Sequence, residues 1–298
     1  MKVIVQQKFG NTLSKVSGAT VNVTIDGITT AYTTDANGEA TFTVAFGNSY
    51  TVVAAKREGW YVPQSAYSQT FVADQTVRIV TYIFRSANTG LFVVASDGDE
   101  YTLPEWEDSV EAGTRENSEA KLIKVSTNAL VQAGGIFAVS IDHLRSRSYG
   151  ANQAWSPSGV RFTSIPLNGN SASASYYYDG LTASRLIQQE GDERSIETPA
   201  ADKCLALNFK LADGTEDELV LPGFLGSVGQ WNELWLNATE VDDILISTRP
   251  SGSYLLSTLT TQKWTSTQAS ETHAWYWGSV ASNRSKGYSD VVLPFFAY

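Results

Sequence analysis

The sequence predicts an all-β sandwich over residues 1–85 followed by an α+β domain over residues 90–298. Three observations predict it. From Lys2 to about Phe84, short runs of alternating apolar and polar residues recur between turn signals, with no helical stretch among them. Beyond Gly90, strand-like runs mix with stretches whose apolar positions recur at three and four. Charge also changes across "RSANTG" (Arg85 to Gly90): residues 1–84 hold 6 Lys+Arg and 5 Asp+Glu, and the remainder holds 15 and 26.

In the first part, "ATVNVTI" (Ala19 to Ile25) alternates and ends at Asp26-Gly27, a hairpin signal. Asp35-Ala36-Asn37-Gly38 and Gly47-Asn48 mark further turns, and "TVRIVTYIF" (Thr76 to Phe84) is a last strand, giving about seven strands. In the second part, "GLFVVASDG" and "GIFAVSID" read as strands. "ETPAADKCLALNFKL" (Glu197 to Leu211) has near-helical apolar spacing after Pro199 and is open to running on into a strand. "SVGQWNELWLNATEVDDILIST" begins at Ser227, a suitable N-cap, and predicts two short helices broken near Asn237. After Gly252 strand character returns through Tyr298. No internal repeat is present.

At 298 residues with 42% hydrophobic and 17% charged residues, the chain is globular. A net charge of -10 leaves no basic face for nucleic acid and disfavours anionic lipid. Cys204 is the single cysteine, which excludes an internal disulfide and a cysteine metal cluster. "MKVIVQQKF" enters a strand pattern at once, without an apolar h-region, and no apolar run reaches about 18 residues; neither a secretion signal nor membrane insertion is expected.

Catalytic signals are thin. The two histidines are His143 and His273. Asp142 precedes His143, and neighbours on a strand face opposite ways, so the two are poorly placed to pair. Neither a G-x-S-x-G elbow nor a phosphate-cradling glycine loop occurs. Acidic clusters at Glu105-Glu107-Asp108, Asp192-Glu193, Glu216-Asp217-Glu218 and Asp242-Asp243 offer paired carboxylates, the equipment of glycoside hydrolysis, but their contexts suit solvated charge. "DGTEDE" (Asp213 to Glu218) is too short for a calcium loop. Asn22, Asn237 and Asn283 open glycosylation sequons that read as chance matches. No metal and no cofactor is expected.

Two resemblances sharpen this reading. Gly18-Val21-Val23, Thr34-Asp35-Gly38-Ala40-Phe42, Tyr50-Val52 and Gly59-Trp60 resemble the prealbumin-like, carboxypeptidase-regulatory type of Ig-like module, usually a spacer or docking platform. Leu221-Pro222, Gly229-Trp231, Trp264-Thr265-Ser266-Thr267, Ala274-Trp275 and Val292-Leu293-Pro294 with Phe296 resemble the C-type-lectin-like fold of formylglycine-generating-enzyme-type proteins. The nearest look-alikes are ligand-binding proteins diversified by retroelements in phages and Bacteroides-type bacteria. Leu293 replaces that motif's arginine, and the likeness is good over 190–298 and thin over 90–190. "WNE" at Trp231 falls in a helical pattern and lacks an E-P-N partner, so calcium-dependent sugar binding is not expected.

The resemblance implies an Ig-like all-β sandwich followed by an α+β C-type-lectin-like domain. Within it, Trp231, Trp264 and Trp275 would be buried framework, with Ser266 and Thr267 in backbone-satisfying turns. It implies a non-enzymatic virion protein that binds a host cell-surface glycan or protein, contacts other virion proteins through its first domain, and forms a homo-oligomer, favourably a trimer. A bacterial surface adhesin of the same fold and a carbohydrate-active enzyme with paired acids are the alternatives. The aromatic, hydroxyl and amide mixture near the C-terminus independently has paratope composition. The ligand-binding residues expected from it are Gln268, Ser270, Glu271, Thr272, His273, Tyr276, Trp277, Ser279, Ser282, Asn283, Arg284 and Tyr288.

Overall fold

The computed structural model describes residues 1–9, 12–54, 60–61, 68–74, 79–86, 89–146, 153–211, 219–248, 255–258, 262–278 and 280–298. The chain forms two compact units, Met1–Asn88 and Thr89–Tyr298. The regular structure described in the first unit is β-strand, the second mixes strands with helices, and among the described residues helices occur only in the second unit. No described helix is long and apolar enough to cross a membrane.

The first unit contains nine described strands rather than about seven: β1 (Lys2–Phe9), β2 (Thr12–Lys15), β3 (Thr20–Ile25), β4 (Ile28–Thr33), β5 (Glu39–Thr41), β6 (Ser49–Ala54), β7 (Trp60–Tyr61), β8 (Ser68–Val72) and β9 (Ile79–Ser86). One sheet has the order β2-β1-β9-β7, with β5 also on β1, and the other the order β4-β3-β6-β8. Alternation decides what lies between them. Val3 and Val5 from the first sheet meet Val21, Val23, Tyr50 and Val52 from the second in one core. Two turns close as their residues require. Asp26 and Gly27 both take positive φ between the paired residues Ile25 and Ile28, as a two-residue hairpin needs. The Asp35 carboxylate accepts the Asn37 and Glu39 N–H groups, which hold it below its usual range. Gly59, Trp60's partner in the first resemblance, lies outside the described residues.

The second unit begins with β10 (Gly90–Ala95), β11 (Glu100–Tyr101), helix α1 (Leu103–Glu111), β12 (Ala120–Ser126), α2 (Asn128–Ala133), β13 (Phe137–Ser140) and α3 (Ile141–Ser146). The run "GIFAVSID" therefore leaves strand geometry at Ser140. Asp142 and His143 stand on a helix, where adjacent residues also diverge, and His143 stacks on Phe296 at 6.0 Å. Next come β14 (Gln153–Ala154), α4 (Ser171–Ser175), α5 (Gly180–Arg194), α6 (Pro199–Leu205), β15 (Asn208–Leu211), β16 (Leu219–Leu225), α7 (Val228–Leu236) and α8 (Ala238–Thr248). Pro199 to Leu211 thus holds a helix and then a strand. Ser227 caps α7: its Oγ accepts from Gln230 N, and the Gln230 side chain accepts from Ser227 N. Asn237 separates α7 from α8.

The chain ends in β17 (Lys263–Gln268), β18 (His273–Trp277), β19 (Ala281–Ser285), β20 (Ser289–Asp290) and β21 (Pro294–Ala297). A seven-stranded antiparallel sheet runs β11-β10-β12-β13-β21-β16-β15, so the last strand lies between strands from earlier in the unit. All four residues of β21 are buried, and Phe295 stacks on Phe137 at 4.5 Å and packs on Trp231 at 4.9 Å. β17, β18 and β19 form a separate three-stranded sheet, and β14 pairs with β20 beside it.

Candidate functional site

Every residue of β17 is buried. Its pairing with β18 shifts register between Trp264 and Gln268, and hydroxyls stand in for the lost ladder bonds. Thr265 Oγ1 donates to Trp275 O at 2.9 Å and accepts from Thr267 N at 3.2 Å, while Thr267 Oγ1 accepts Val228 N at the start of α7. Ser266 and Thr267 thus lie in a bulged strand and not in turns. Trp264 and Trp275 are buried and anchored through their indole N–H groups, to Gln153 O at 2.8 Å and Asn168 O at 2.7 Å. Trp231 is buried as expected from a framework residue.

The β18–β19 register pairs His273 with Ser285, Trp275 with Asn283 and Tyr276 with Ser282. Directly paired residues share a face, so Asn283 stands beside Trp275 on one side and Ser282 beside Tyr276 on the other. The pairing also fixes the ends. The β17–β18 turn (269–272) and the β19–β20 turn (286–288) meet at one end, tied by Lys286 N to Thr272 O at 3.0 Å. Trp277 and Ser282 lie toward the opposite end, and Ser279 falls outside the described residues.

At the end formed by the 269–272 and 286–288 turns, the near end, three segments converge. Ser270 Oγ accepts the N–H groups of Thr272 and His273, and Thr272 Oγ1 lies 2.8 Å from His273 Nδ1. Ser158 and Ser285 hydroxyls are 3.1 Å apart, and Arg161 pairs with Glu271 at 3.8 Å on the surface. Tyr288 is 62% exposed. The Arg284 guanidinium lies 4.9 Å from the Tyr276 ring and 5.4 Å from that of Tyr288, and bonds both carboxylate oxygens of Asp290 at 3.0 and 3.1 Å. Burial pushes the Asp290 carboxyl up and Arg284 pulls it back.

Beneath this surface lies a buried polar layer. Lys286 Nζ donates to Val160 O and to Gln268 Oε1, each at 2.5 Å, with the Trp155 ring 4.8 Å away. Gln268 completes its amide on Phe162, accepting from its N and donating to its O. Burial lowers the Lys286 ammonium to about 7, against the opposing pull of Glu190 and Glu271. Glu190, on α5, accepts Thr163 N and Ser164 N and pairs with Arg194. Burial alone would raise the Glu190 carboxyl; the Ser164 and Thr163 bonds and Arg194 bring it to about 2.

Two expected contact residues are therefore corrected. Gln268 is wholly buried because both ends of its amide are consumed by Phe162 and Lys286. Trp277 is 5% exposed because it falls on the same side of β18 as buried Trp275. Ser270, His273, Tyr276, Ser282 and Arg284 are half-buried, and Glu271, Thr272, Asn283 and Tyr288 are exposed. Sequence reasoning missed Ser158, Arg161, Glu190, Lys286 and Asp290. Nothing local in the sequence announces Lys286 as a buried lysine.

Two residues of the acidic clusters are engaged in local bonds. Glu105 closes the N-terminal cap of α1 on Thr102, which holds its carboxyl below its usual range. Asp242 accepts from Leu256 N and Ser257 N. Glu216-Asp217-Glu218 lies outside the described residues. Among the described residues, no group of three or more His, Cys, Asp or Glu side chains is placed to hold a metal ion.

No protein-family model and no curated protein sequence matches the chain. Among solved structures, a fimbrial protein from Bacteroides ovatus ATCC 8483 aligns over 100% of this chain and 70% of its own, with a TM-score of 0.41 and 11% identity. A likeness that low assigns neither fold family nor function.

Proposed function

We propose that the chain is a non-enzymatic virion protein of the fibre or receptor-binding kind. Its second unit, with a C-type-lectin-like fold, presents the near end of the three-stranded sheet to a glycan or protein on a host cell. The first unit, an Ig-like sandwich, attaches to other virion proteins, and the whole assembles as a homo-oligomer, a trimer by preference. The observation that carries the binding reading is the convergence of three segments around Thr272, Ser285 and Tyr288 over the buried Lys286–Gln268 contact. Such a base fixes exposed side chains before a ligand arrives, which lowers the entropy lost on binding. The engagement of Glu105 and Asp242 in structural bonds supports a non-enzymatic role. The C-type-lectin-like reading is supported by the order of the pieces: Trp231 on a capped helix, Trp264 and Trp275 on adjacent strands, and Phe296 on a last strand inside the main sheet.

The test is adsorption of labelled protein to a panel of intact bacterial cells. Saturable binding that falls at least about tenfold in a Thr272→Ala/Tyr288→Ala variant with unchanged melting supports the proposal. Undiminished binding by that folded variant refutes it.

A further inference from the structure

Resting on this reading of the near end as a binding surface, we infer that its ligand is an uncharged saccharide, with an apolar sugar face on the Tyr288 ring and hydroxyls met by Thr272, His273 and Ser285. Charge carries the first step. Arg284 is bonded to Asp290, Arg161 lies beside Glu271, and Lys286 is buried on Val160 O and Gln268 Oε1. The described cations of this end thus already have partners. The chain from residue 85 as a whole holds 26 acidic against 15 basic residues, a net charge that disfavours anions at long range. A sialylated, sulfated or phosphorylated ligand would meet that repulsion and would have to compete with Glu271 or Asp290 for a cation of this end.

The exposed chemistry carries the second step. Thr272 with His273, and Ser158 with Ser285, form two exposed or half-exposed pairs whose remaining donor and acceptor positions match a ligand whose own groups do both. Tyr288 supplies an exposed ring backed by the Arg284 guanidinium, which holds it in place and leaves its electron-rich face for positively polarised C–H groups. A protein partner would instead favour a broad contact of about 800 Å² with a desolvated apolar centre. The exposed large apolar side chains at this end are Tyr288 and Leu167, the latter 42% exposed beside Gln268, a smaller patch than such a centre; Val280, 67% exposed, lies by the opposite turn.

The experiment is an array of neutral, sialylated and sulfated oligosaccharides probed with the full chain, followed by titration of the hits at about 50 and 300 mM salt. Neutral saccharides should bind, with affinity changing less than about twofold across the salt range. Tyr288→Phe should bind within about threefold of wild type, and Tyr288→Ala at least about tenfold more weakly. Binding confined to sialylated or sulfated sugars overturns the inference. So does an empty array alongside cell adsorption that protease treatment of the cells abolishes, an outcome that leaves the binding reading standing. Failure to adsorb to any cell together with an empty array defeats both.

Discussion

Lys286 Nζ sits 2.5 Å from Gln268 Oε1, with both residues fully out of solvent, directly beneath the surface formed by the 269–272 and 286–288 turns. A buried cation and a buried amide at this contact cost desolvation energy and are tolerated because every partner is in place. What the pair secures is position: Val160, Phe162, Gln268 and Lys286 belong to the three segments that carry the exposed residues.

The first prediction concerns pH. The folded state releases the Lys286 proton near pH 7, whereas an unfolded lysine keeps it to about 10.5, so the unfolded state binds more protons in between. Stability should therefore rise with pH across that window, by at most about 1.4 kcal/mol per pH unit from this group. Urea unfolding followed by tryptophan fluorescence at pH 7 and 9 should show the rise in wild type and its loss in Lys286→Met.

Glu190 gives a dependence of the same sign in the acid range. Its folded carboxyl titrates near 2 against 4.5 unfolded, so its stabilisation is complete above about pH 4.5 and is lost as pH falls toward 2. Glu190→Gln keeps the shape but weakens the bonds to Thr163 N and Ser164 N. It should destabilise the second unit by about 1–3 kcal/mol at pH 7 and flatten the acid limb of the unfolding curve.

Trp275→Ala removes a buried indole and leaves Asn168 O without its donor. A loss of about 3–5 kcal/mol is expected in chemical denaturation. No change in stability would mean that Trp275 is not framework.

In the first unit, Gly38 has φ +70 and a Cβ placed there would lie 2.8 Å from Val5 O. Gly38→Ala should destabilise that unit by at least about 1–2 kcal/mol, because strain and a backbone clash add. Thermal melting of the variant checks it.

How much of this was legible in sequence depends on which side chains face inward. β3 alternates Val21 and Val23, and α7 begins on a serine with glutamine three residues on, so both announce themselves. The fifteen-residue helix α5 does not. Its buried face is Gly180, Leu181, Ala183, Ser184, Ile187, Glu190 and Gly191, which keeps helical spacing while hiding it in small and polar residues. Gly180 and Gly191 sit where a Cβ would meet neighbours within 3 Å, so tertiary packing, not propensity, chose them. The site followed the same pattern. Tyr288 and Thr272 were recognisable by composition, but the burial of Gln268 and Lys286 depends on Phe162 and Val160, more than 100 residues earlier in the chain. Trp277 was misassigned because its polar sequence neighbourhood conceals that strand parity places it with Trp275.

The most direct measurement compares the two ends of the three-stranded sheet on one cell-binding assay. Tyr288→Ala at the near end and Val280→Ala at the opposite turn are both exposed changes, so neither should shift melting by much. Binding that drops at least about tenfold for Tyr288→Ala and stays within about twofold for Val280→Ala is the predicted result. The reverse pattern, with Val280→Ala abolishing binding and Tyr288→Ala leaving it intact, would contradict the placement of the binding surface.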